Sequence, residues 1–264
     1  MNKNINKIYI GYDPKEHKAY EVLKFSLERI STKPCDIITL DLETIQNKMG
    51  AYRRKYRTDT QGQRYDSTDN RPFSSDFSFS RFLVPYLNMY QGKALYMDCD
   101  MYVRHDITEL FDLCDNQYYA LWCVHHKYEP TIGKKMDNKI QEMYHRKNWS
   151  SLMMFNCGHS DNLKLTKDVV NSATGRYLHT FEWLPDKEAD IGRIPEEWNW
   201  LDGHSSPKID AMDAKNVHFT TGGPWFNGWN PSREADCKYI TEWNNDSTWL
   251  EMNGIKEHVK EFKI

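Results

Sequence analysis

The hydrophobic residues of this chain first follow an extended pattern and then a helical one. The apolar run Ile8-Tyr9-Ile10 predicts a short strand, and residues 11–14 predict a turn into a helix. In this helix the apolar residues recur three and four positions apart, at Tyr20, Leu23, Leu27 and Ile30. Residues 36–40 predict a second strand. A strand, a helix and a strand in this order predict a parallel sheet of the α/β class, in which ligands bind beyond the carboxyl ends of the strands.

The remaining elements are predicted from shorter stretches of the same patterns. Ser75-Asp76 precedes apolar residues at helical spacing between Phe79 and Tyr90, which predicts one core-facing helix. We further predict a buried strand at residues 94–97, strands at 118–124 and 151–155, and a helix over 163–178 that could stop near Gly175. After the second strand neither pattern persists beyond Ala51 until Pro72, so this region is predicted to be a long loop.

The charge of the chain limits the kinds of partner that it attracts. Thirty-five Lys and Arg against 38 Asp and Glu give a formal net charge of −3, which argues against a general attraction to nucleic acid. Residues 48–71 are a local exception, with seven basic residues against three acidic ones. This segment is either a solvated loop or an electrostatic clamp for a phosphate-bearing ligand.

The hydropathy and the cysteines indicate a cytoplasmic protein with reduced thiols. The 264-residue chain has a mean hydropathy of −0.82 and no signal-peptide core near its start. It also has no apolar run near the roughly 18 residues that a membrane-spanning helix needs. The six cysteines are widely spaced and form no C-x-x-C pair, so we expect reduced and mostly buried thiols. They are Cys35, Cys99, Cys114, Cys123, Cys157 and Cys237.

Two carboxylates follow the predicted strand at residues 94–97. Because side chains alternate along an extended segment, Asp98 and Asp100 point the same way, whereas Cys99 points to the other face. Hard oxygen ligands of this kind select Mg²⁺ or Mn²⁺, and a metal ion held by only two carboxylates keeps coordination sites for a diphosphate. An Asp-x-Asp motif alone is common by chance, but its place at a strand end favours a metal site for a nucleoside diphosphate conjugate.

A histidine far along the chain is the candidate third ligand. His218 follows Val217 and precedes Gly222-Gly223-Pro224, a turn that could bring backbone N–H groups close to phosphate. A neutral imidazole would favour Mn²⁺ over Mg²⁺. The alternative is a structural histidine, which is the commoner role after an apolar residue.

A set of segments, in chain order, resembles GT-A fold glycosyltransferases, and the nearest resemblance is to family 8-like enzymes, which retain configuration and use UDP-sugars. The segments are residues 8–13, 79–87, 93–100, 106–110, 151–157, 194–199 and 218–225. The resemblance implies a Rossmann-like nucleotide-binding sheet with helices on both faces. We accordingly predict a glycosyltransferase domain over residues 1–235 and a helical extension over 236–264. The domain would comprise a nucleotide-sugar and metal half (1–125) and an acceptor half (126–235).

The resemblance also implies a role for individual residues. Gly11, Tyr12 and Asp13 would hold the nucleotide base, with Tyr12 stacked on uracil, although Asp13 could be only a helix cap. Arg81 would reach the sugar nucleotide and act in catalysis, and Asn156 would hydrogen-bond the donor sugar unless it only ends its strand. The metal ligands would be Asp98, Asp100 and His218, and the donor-binding residues would further include Asp98, Cys99, Gly222 and Gly223.

Two segments depart from the family pattern. The family usually has Lys-Pro-Trp after the metal-binding histidine, whereas this chain has Gly223-Pro224-Trp225, so an arginine of the basic segment could supply the missing cation. The candidates are Arg53, Arg54 and Arg57. The family's Asp-Gln-Asp segment has no clean match, and the nearest carboxylates are Glu188 and Asp190. These two would act in catalysis by stabilising the cationic sugar or orienting the acceptor, and a solvated acidic loop is the alternative.

We therefore predict a metal-dependent glycosyltransferase that moves a sugar from a UDP-sugar to a hydroxyl group of a glycan or lipid-linked saccharide. The implied retaining mechanism is front-face attack, in which the diphosphate takes the proton of the acceptor. Three alternatives stay open: transfer to a hydroxylated base of nucleic acid, a non-catalytic sugar-nucleotide-binding relative, and a nucleotidyltransferase. The last would release pyrophosphate instead of UDP. The expected location is the cytoplasm, including peripheral contact with a membrane.

Overall fold

The computed structural model describes residues 5–127, 146, 148–186, 189–205, 210–229 and 238–254. Across these ranges no helix combines the length and the apolar character that crossing a bilayer requires. The strands are β1 (Asn6–Gly11), β2 (Cys35–Leu40), β3 (Tyr56–Thr58), β4 (Arg64–Asp66), β5 (Pro72–Phe73), β6 (Lys93–Asp98), β7 (Met101–Val103), β8 (Leu121–Cys123), β9 (Leu152–Asn156), β10 (Ile191–Arg193), β11 (Trp200–Leu201) and β12 (Asn216–His218). The α-helices are α1 (His17–Ile30), α2 (Phe77–Ser80), α3 (Val84–Leu87), α4 (Glu109–Leu113), α5 (Lys167–Ser172), α6 (Gly175–His179) and α7 (Lys238–Asn253).

Six strands form the main sheet in the order β10-β8-β9-β6-β1-β2. β1 pairs in parallel with both β2 and β6, which confirms the predicted β-α-β opening, and β8 pairs in parallel with β10. β9 is the exception, since it runs antiparallel to β6 and β8. The carboxyl ends of all six strands except β9 therefore lie on one edge of the sheet. We call it the Asp98 edge, and the opposite edge, where Lys93 begins β6, the Lys93 edge.

Alternate side chains of the main sheet pack against helices on opposite faces. On one face, Leu95 and Met97 of β6 share a hydrophobic cluster with residues of α1 and α4. On the other face, Ala94 and Tyr96 share a cluster with residues of α2, α3, α5 and α6. These four side chains are fully buried, as expected for a strand covered on both faces. The predicted arrangement, a sheet with helices on both faces, is confirmed.

A second sheet joins the C-terminal part of the chain to the Asp98 edge. Its strand order is β11-β12-β7, with β12 parallel to β11 and antiparallel to β7. Helix α7 buries Tyr239 and Trp243 against this sheet, in one cluster with Val217 and Phe219. A helix therefore lies within the predicted extension 236–264, but its apolar side chains belong to the core around the second sheet. The proposed domain boundaries themselves stay a prediction.

Two helices predicted as continuous are interrupted. Between Phe79 and Tyr90 the chain forms α2, a 3₁₀ turn at Arg81–Leu83 and then α3, which ends at Leu87. Pro85 lacks the N–H that a continuous helix would need there. The predicted helix over 163–178 likewise divides into a 3₁₀ turn at Asn162–Lys164, α5 and α6. Thr166 and Thr174 each accept a hydrogen bond from a backbone N–H three residues on, which starts a new helix at each site.

Residues 41–72 are ordered where the sequence predicts a loop. They form a π-helical turn at Thr44–Lys48, and β4 then pairs with both β3 and β5 in a small antiparallel sheet. Arg54 lies beneath this sheet, where its Nη2 is 2.6 Å from Oδ2 of Asp66 and both side chains are at most 2% exposed. The same guanidinium donates to the carbonyl oxygens of Val170 and Ala173. Arg54 is therefore a structural cross-link and does not serve as a phosphate clamp.

The cysteines agree with the prediction of unpaired, mostly buried thiols. Five are free, and burial raises the pKa of those in the core, so they stay protonated and uncharged. Cys35 is half-buried, and Cys99, Cys114, Cys123 and Cys157 are buried. Cys237 lies outside the described residues.

Candidate active site

The three predicted metal ligands meet at the Asp98 edge. Asp98 ends β6, Asp100 follows two residues later, and His218 ends β12. The antiparallel pairing of β12 with β7 carries the imidazole to Asp100, and the backbone N–H of Phe219 donates to the carbonyl of Asp100 at 2.9 Å. One ligand atom from each of the three side chains lies within 4.8 Å of the others, and all three residues are buried. Nε2 of His218 is 3.4 Å from Oδ1 of Asp100.

A neighbouring amide fixes the orientation of the His218 ring. Asn199 donates from Nδ2 to Oγ of Ser151 at 2.9 Å and to the carbonyl of Asn148 at 3.4 Å. Because a carbonyl can only accept, Oδ1 of Asn199 is the atom that faces Nδ1 of His218, at 3.0 Å. Asn199 therefore places a proton on Nδ1 and leaves Nε2 as the ring nitrogen that faces the carboxylates. Nε2 is then the atom with which this imidazole would bind a metal ion.

We expect replacement of Asn199 by leucine to weaken Mn²⁺ binding by about 10- to 100-fold, because outer partners of metal-binding histidines typically contribute that much. Asn199→Asp keeps an oxygen that accepts from Nδ1 and should retain most of the affinity. Calorimetric titration with Mn²⁺ measures both, with thermal denaturation as a check on folding. Asn253→Leu is the control, because Asn253 lies exposed at the end of α7. Equal affinity in the Asn199→Leu variant and the wild type would contradict the assigned role.

Asp98 is held on its other side by two buried residues. Nη1 of Arg81 is 3.0 Å from Oδ1 of Asp98 and also donates to the carbonyl of Ser150 at 2.9 Å. The phenol of Tyr96, fully buried, donates to Oδ1 of Asp98 at 2.6 Å. Burial raises the pKa of Asp98, and the charge of Arg81 acts in the opposite direction. Arg81 and Tyr96 thus orient the carboxylate before any ligand arrives.

The ligand atoms of this cluster suit a divalent cation. Two carboxylates supply hard oxygen ligands, and the imidazole presents Nε2 to them while Nδ1 is bound by Asn199. Asp98 and His218 end strands, and each has a hydrogen-bonding neighbour behind it, whereas Asp100 lies in the two-residue connection between β6 and β7. Nothing in the arrangement requires the ligands to move far to meet one ion.

The residues predicted to hold the nucleotide base lie at the same edge. Gly11 pairs with Asp98 in the sheet, and a Cβ on Gly11 would come within 2.3 Å of the Tyr96 hydroxyl, so only glycine fits. Tyr12 is half-buried and contacts the ring of Tyr20 edge-on. Asp13 accepts from the backbone N–H of Lys15, which confirms its role as a cap. Its second oxygen accepts from the backbone N–H of residue 76.

Three further residues that were predicted to bind the donor have local structural roles. Cys99 points away from the carboxylates, as predicted, and its thiol lies 3.4 Å from Oε2 of Glu16. Gly222 has φ of 119°, a conformation that favours glycine. A Cβ on Gly223 would lie 2.1 Å from the ring of Trp225. Both glycines follow His218 closely in the chain. The predicted contact of their backbone N–H groups with phosphate stays a prediction.

Asn156 and Asp190 do not join the site. Because β9 runs antiparallel to β6, Asn156 pairs with Lys93, and its amide donates to the carbonyl oxygens of Gln117 and Tyr119. Asp190 precedes β10, and its carbonyl accepts from the backbone N–H of Ala120. Both residues therefore lie at the Lys93 edge, a full strand length from Asp98, and the roles predicted for them are wrong. Glu188, the other carboxylate of that segment, lies outside the described residues.

The arginines that could replace the missing lysine have other partners. Arg53 forms an ion pair with Asp168 at 2.9 Å, and Arg57 donates to Oδ1 of Asn70. Arg54 is buried against Asp66, as described above. The basic excess of residues 48–71 is therefore largely used within the fold.

Sequence reasoning missed two supporting residues of the centre. Tyr96 lies two residues before Asp98, so the same alternation that aligned the carboxylates could have identified it as a neighbour on the same face. Asn199 had no comparable signal. It reaches His218 only because a 3₁₀ turn at Glu196–Asn199 precedes β11, and β11 pairs with β12.

The amino-acid sequence of this chain is similar to those of known proteins. The sequence profile described as "Glycosyl transferase family 8" matches residues 18–170. "Protein CDI" of Arabidopsis thaliana is 42% identical over 253 residues, which cover 95% of this chain and 89% of that protein.

Solved structures show the same fold at low sequence identity. The bifunctional glycosyltransferase WbbM aligns with a TM-score of 0.55 and 14% identity over 96% of this chain. The glycosyltransferase GlyE of Streptococcus pneumoniae TIGR4 aligns with a TM-score of 0.55 and 13% identity over 95% of this chain. The chain spans about half of the WbbM chain (52%) and 64% of the GlyE chain. The likeness confirms the predicted GT-A fold.

Proposed function

We infer the reaction from one premise: the chain belongs to glycosyltransferase family 8 and is a glycosyltransferase with a GT-A fold. We propose that it transfers a sugar from a UDP-sugar, in the presence of Mn²⁺ or Mg²⁺, to a hydroxyl group of a glycan or lipid-linked saccharide. The observation that carries the proposal is the buried cluster of Asp98, Asp100 and His218. The cytoplasmic location expected from the sequence stays a prediction.

The proposed metal ligands are the three side chains of this cluster. A divalent cation there would offset the charge of the two phosphates and stabilise the diphosphate as it leaves. Asp98 and Asp100 bring the negative charge that attracts the cation, and Asn199 accepts from Nδ1 of His218, so that Nε2 faces the proposed cation. Arg81 holds Asp98 in place and adds a fixed positive charge beside the proposed donor site.

The order of the strands indicates how the proposed UDP-sugar would lie across the Asp98 edge. Gly11, Tyr12 and Asp13 follow β1, which lies on one side of β6 in the sheet. With uracil at these residues and the diphosphate beside Asp98, the sugar would extend to the other side, over β9 and β8. The arginines at positions 53, 54 and 57 are not part of this proposal, because each has a partner elsewhere.

The proposed chemistry exchanges one bond to the anomeric carbon for another. The bond from that carbon to the diphosphate oxygen breaks with its electron pair, and a bond to the acceptor oxygen forms. The acceptor hydroxyl gives its proton to the departing diphosphate on the same face, so the configuration is retained. Asp190, which was expected to stabilise the cationic sugar or orient the acceptor, lies at the Lys93 edge and has no part in this proposed step.

A thermal-denaturation screen of UDP- and GDP-sugars, with and without Mn²⁺, tests the donor. A ligand present at 100 times its Kd adds about 2.7 kcal/mol to the folded state. For a chain of this size that corresponds to a rise in Tm of roughly 5–10 °C. We expect the rise with UDP-sugars and Mn²⁺ and its loss with a chelator. A rise only with nucleoside triphosphates, with release of pyrophosphate, would contradict the proposal.

A further inference from the structure

A histidine beside the centre has a buried nitrogen that the fold does not use. His126 lies three residues beyond the end of β8, and its carbonyl accepts from Nε1 of Trp149 at 3.0 Å. The ring is half-buried, yet its Nε2 atom is buried and makes no hydrogen bond to any residue within the described ranges. Buried polar atoms without a partner are rare in native proteins and call for a specific explanation, such as a bound ligand.

The strand register places His126 at the Asp98 edge. Cys123 of β8 and Tyr96 of β6 both pair with Met153 of β9, so the two residues are level in the sheet. His126 is three residues beyond this level and Asp98 is two beyond it. The two strands are separated by β9, which corresponds to about 10 Å from β6 to β8 at the usual strand spacing. His126 therefore lies beside the metal cluster, on the side away from Gly11.

This side is where the proposed donor orientation puts the sugar. With the nucleoside at the end of β1 and the diphosphate beside Asp98, the part of the donor that reaches β8 is the transferred sugar. We propose that His126 is a specificity-determining residue whose Nε2 forms a hydrogen bond with a hydroxyl group of that sugar. The proposal rests on the proposed function, because it uses the position of a UDP-sugar.

The electrostatic setting of His126 favours a hydroxyl group as its partner. Burial lowers the pKa of His126 to about 3, and the charges of His218 and His125 act in the same direction. The ring is therefore neutral at physiological pH and cannot offset the charge of a carboxylate. It is also a weak base, since a general base works best when its pKa lies near the working pH. A neutral imidazole can donate to or accept from a hydroxyl group, which makes it a positioning group for an uncharged sugar.

Binding measurements that separate the sugar from the rest of the donor test this role. Calorimetry with Mn²⁺ would compare UDP with UDP-glucose, UDP-galactose and UDP-xylose on the wild type and three variants. His126→Leu removes the ring nitrogens, His126→Asn keeps a polar group only near Nδ1, and His126→Gln places an amide near Nε2. His105→Leu is the matched control, because His105 is exposed on the loop after β7.

For the UDP-sugar that the wild type binds best, we expect His126→Leu and His126→Asn to weaken binding about tenfold, the cost of one hydrogen bond. UDP itself should bind all variants within about twofold of the wild type, and His126→Gln should recover most of the loss. An equal loss for UDP and the UDP-sugar, or no loss for either, would overturn the proposal. If His126→Leu does not fold, His126→Asn decides alone. A wild type that binds no UDP-sugar would instead refute the proposed function.

Discussion

Replacing Asp100 with alanine should lower kcat/KM for sugar transfer by roughly 100- to 1000-fold or more and abolish Mn²⁺-dependent stabilisation by UDP. Asp100 is one of only two carboxylates in the cluster, and its Oδ1 is 3.4 Å from Nε2 of His218. Without it, two ligands remain to hold the cation against a diphosphate. Preorganised charge of this kind typically contributes about 3–4 kcal/mol to a transition state for each group removed, which sets the lower limit of the loss.

The variant should fold, because the backbone carbonyl of Asp100 keeps its hydrogen bond from Phe219. Asp100→Asn preserves the shape of the side chain and removes only the charge, so it should lose nearly as much activity. Asp112→Ala is the control, since Asp112 is 71% exposed on α4 and pairs only with Lys33 among the described residues. Steady-state kinetics and thermal denaturation with Mn²⁺ and UDP measure the three variants. Normal turnover by the Asp100→Ala protein would remove Asp100 from the site.

The proximity of Asp98 and Asp100 could be predicted because these residues have local signatures in the sequence. The fully apolar run of β6 identifies a buried strand, and the alternation of side chains aligns Asp98 with Asp100. His218 was found through the motif around it. Its approach to Asp100 depends on the pairing of β12 with β7, two strands more than 100 residues apart along the chain, and no local pattern encodes that pairing.

Strand direction explains the largest error in the predicted site. The alternation of apolar residues is the same whether a strand runs parallel or antiparallel to its neighbours. The sequence pattern of β9 therefore does not indicate which end of the strand lies near Asp98. The β-α-β opening suggested a sheet with every carboxyl end on one edge. Because β9 is reversed, Asn156 lies at the Lys93 edge, and the start of β9 near Ser151 lies beside Asp98 instead.

The basic segment, residues 48–71, shows why short strands are difficult to predict from local sequence patterns. Strands of two or three residues, such as β3, β4 and β5, are too short to show a period, so residues 41–72 resemble a loop. Arg54 is also held by tertiary contacts, since its charge is paired with Asp66 on β4 and its guanidinium donates to the carbonyl oxygen of Ala173, which follows α5. A cluster of like charges in sequence was therefore distributed among separate ion pairs by the tertiary fold.

Two buried arginines provide a contrast between stability and function. Arg81 is paired with Asp98 and Arg54 with Asp66, and each of these side chains is less than 10% exposed. Breaking a buried pair by removing one partner typically costs about 3–5 kcal/mol, because the remaining charge stays buried without compensation. Arg81→Met and Arg54→Met should therefore both lower the free energy of unfolding by about this amount, measured by denaturant titration.

Only Arg81→Met should also weaken Mn²⁺ binding. Removal of Arg81 takes away the ion pair that orients Asp98 and the positive charge that favours its ionised form, whereas Asp66 lies on β4 of the small sheet and pairs with Arg54. Arg54→Met is thus the matched control for a general loss of stability, and it should retain the Mn²⁺ affinity of the wild type. Calorimetric titration below the melting temperature of each variant makes the comparison. If the two variants bound Mn²⁺ equally well, Arg81 would have no part in preparing the metal site, and the ion pair with Asp98 would serve stability alone.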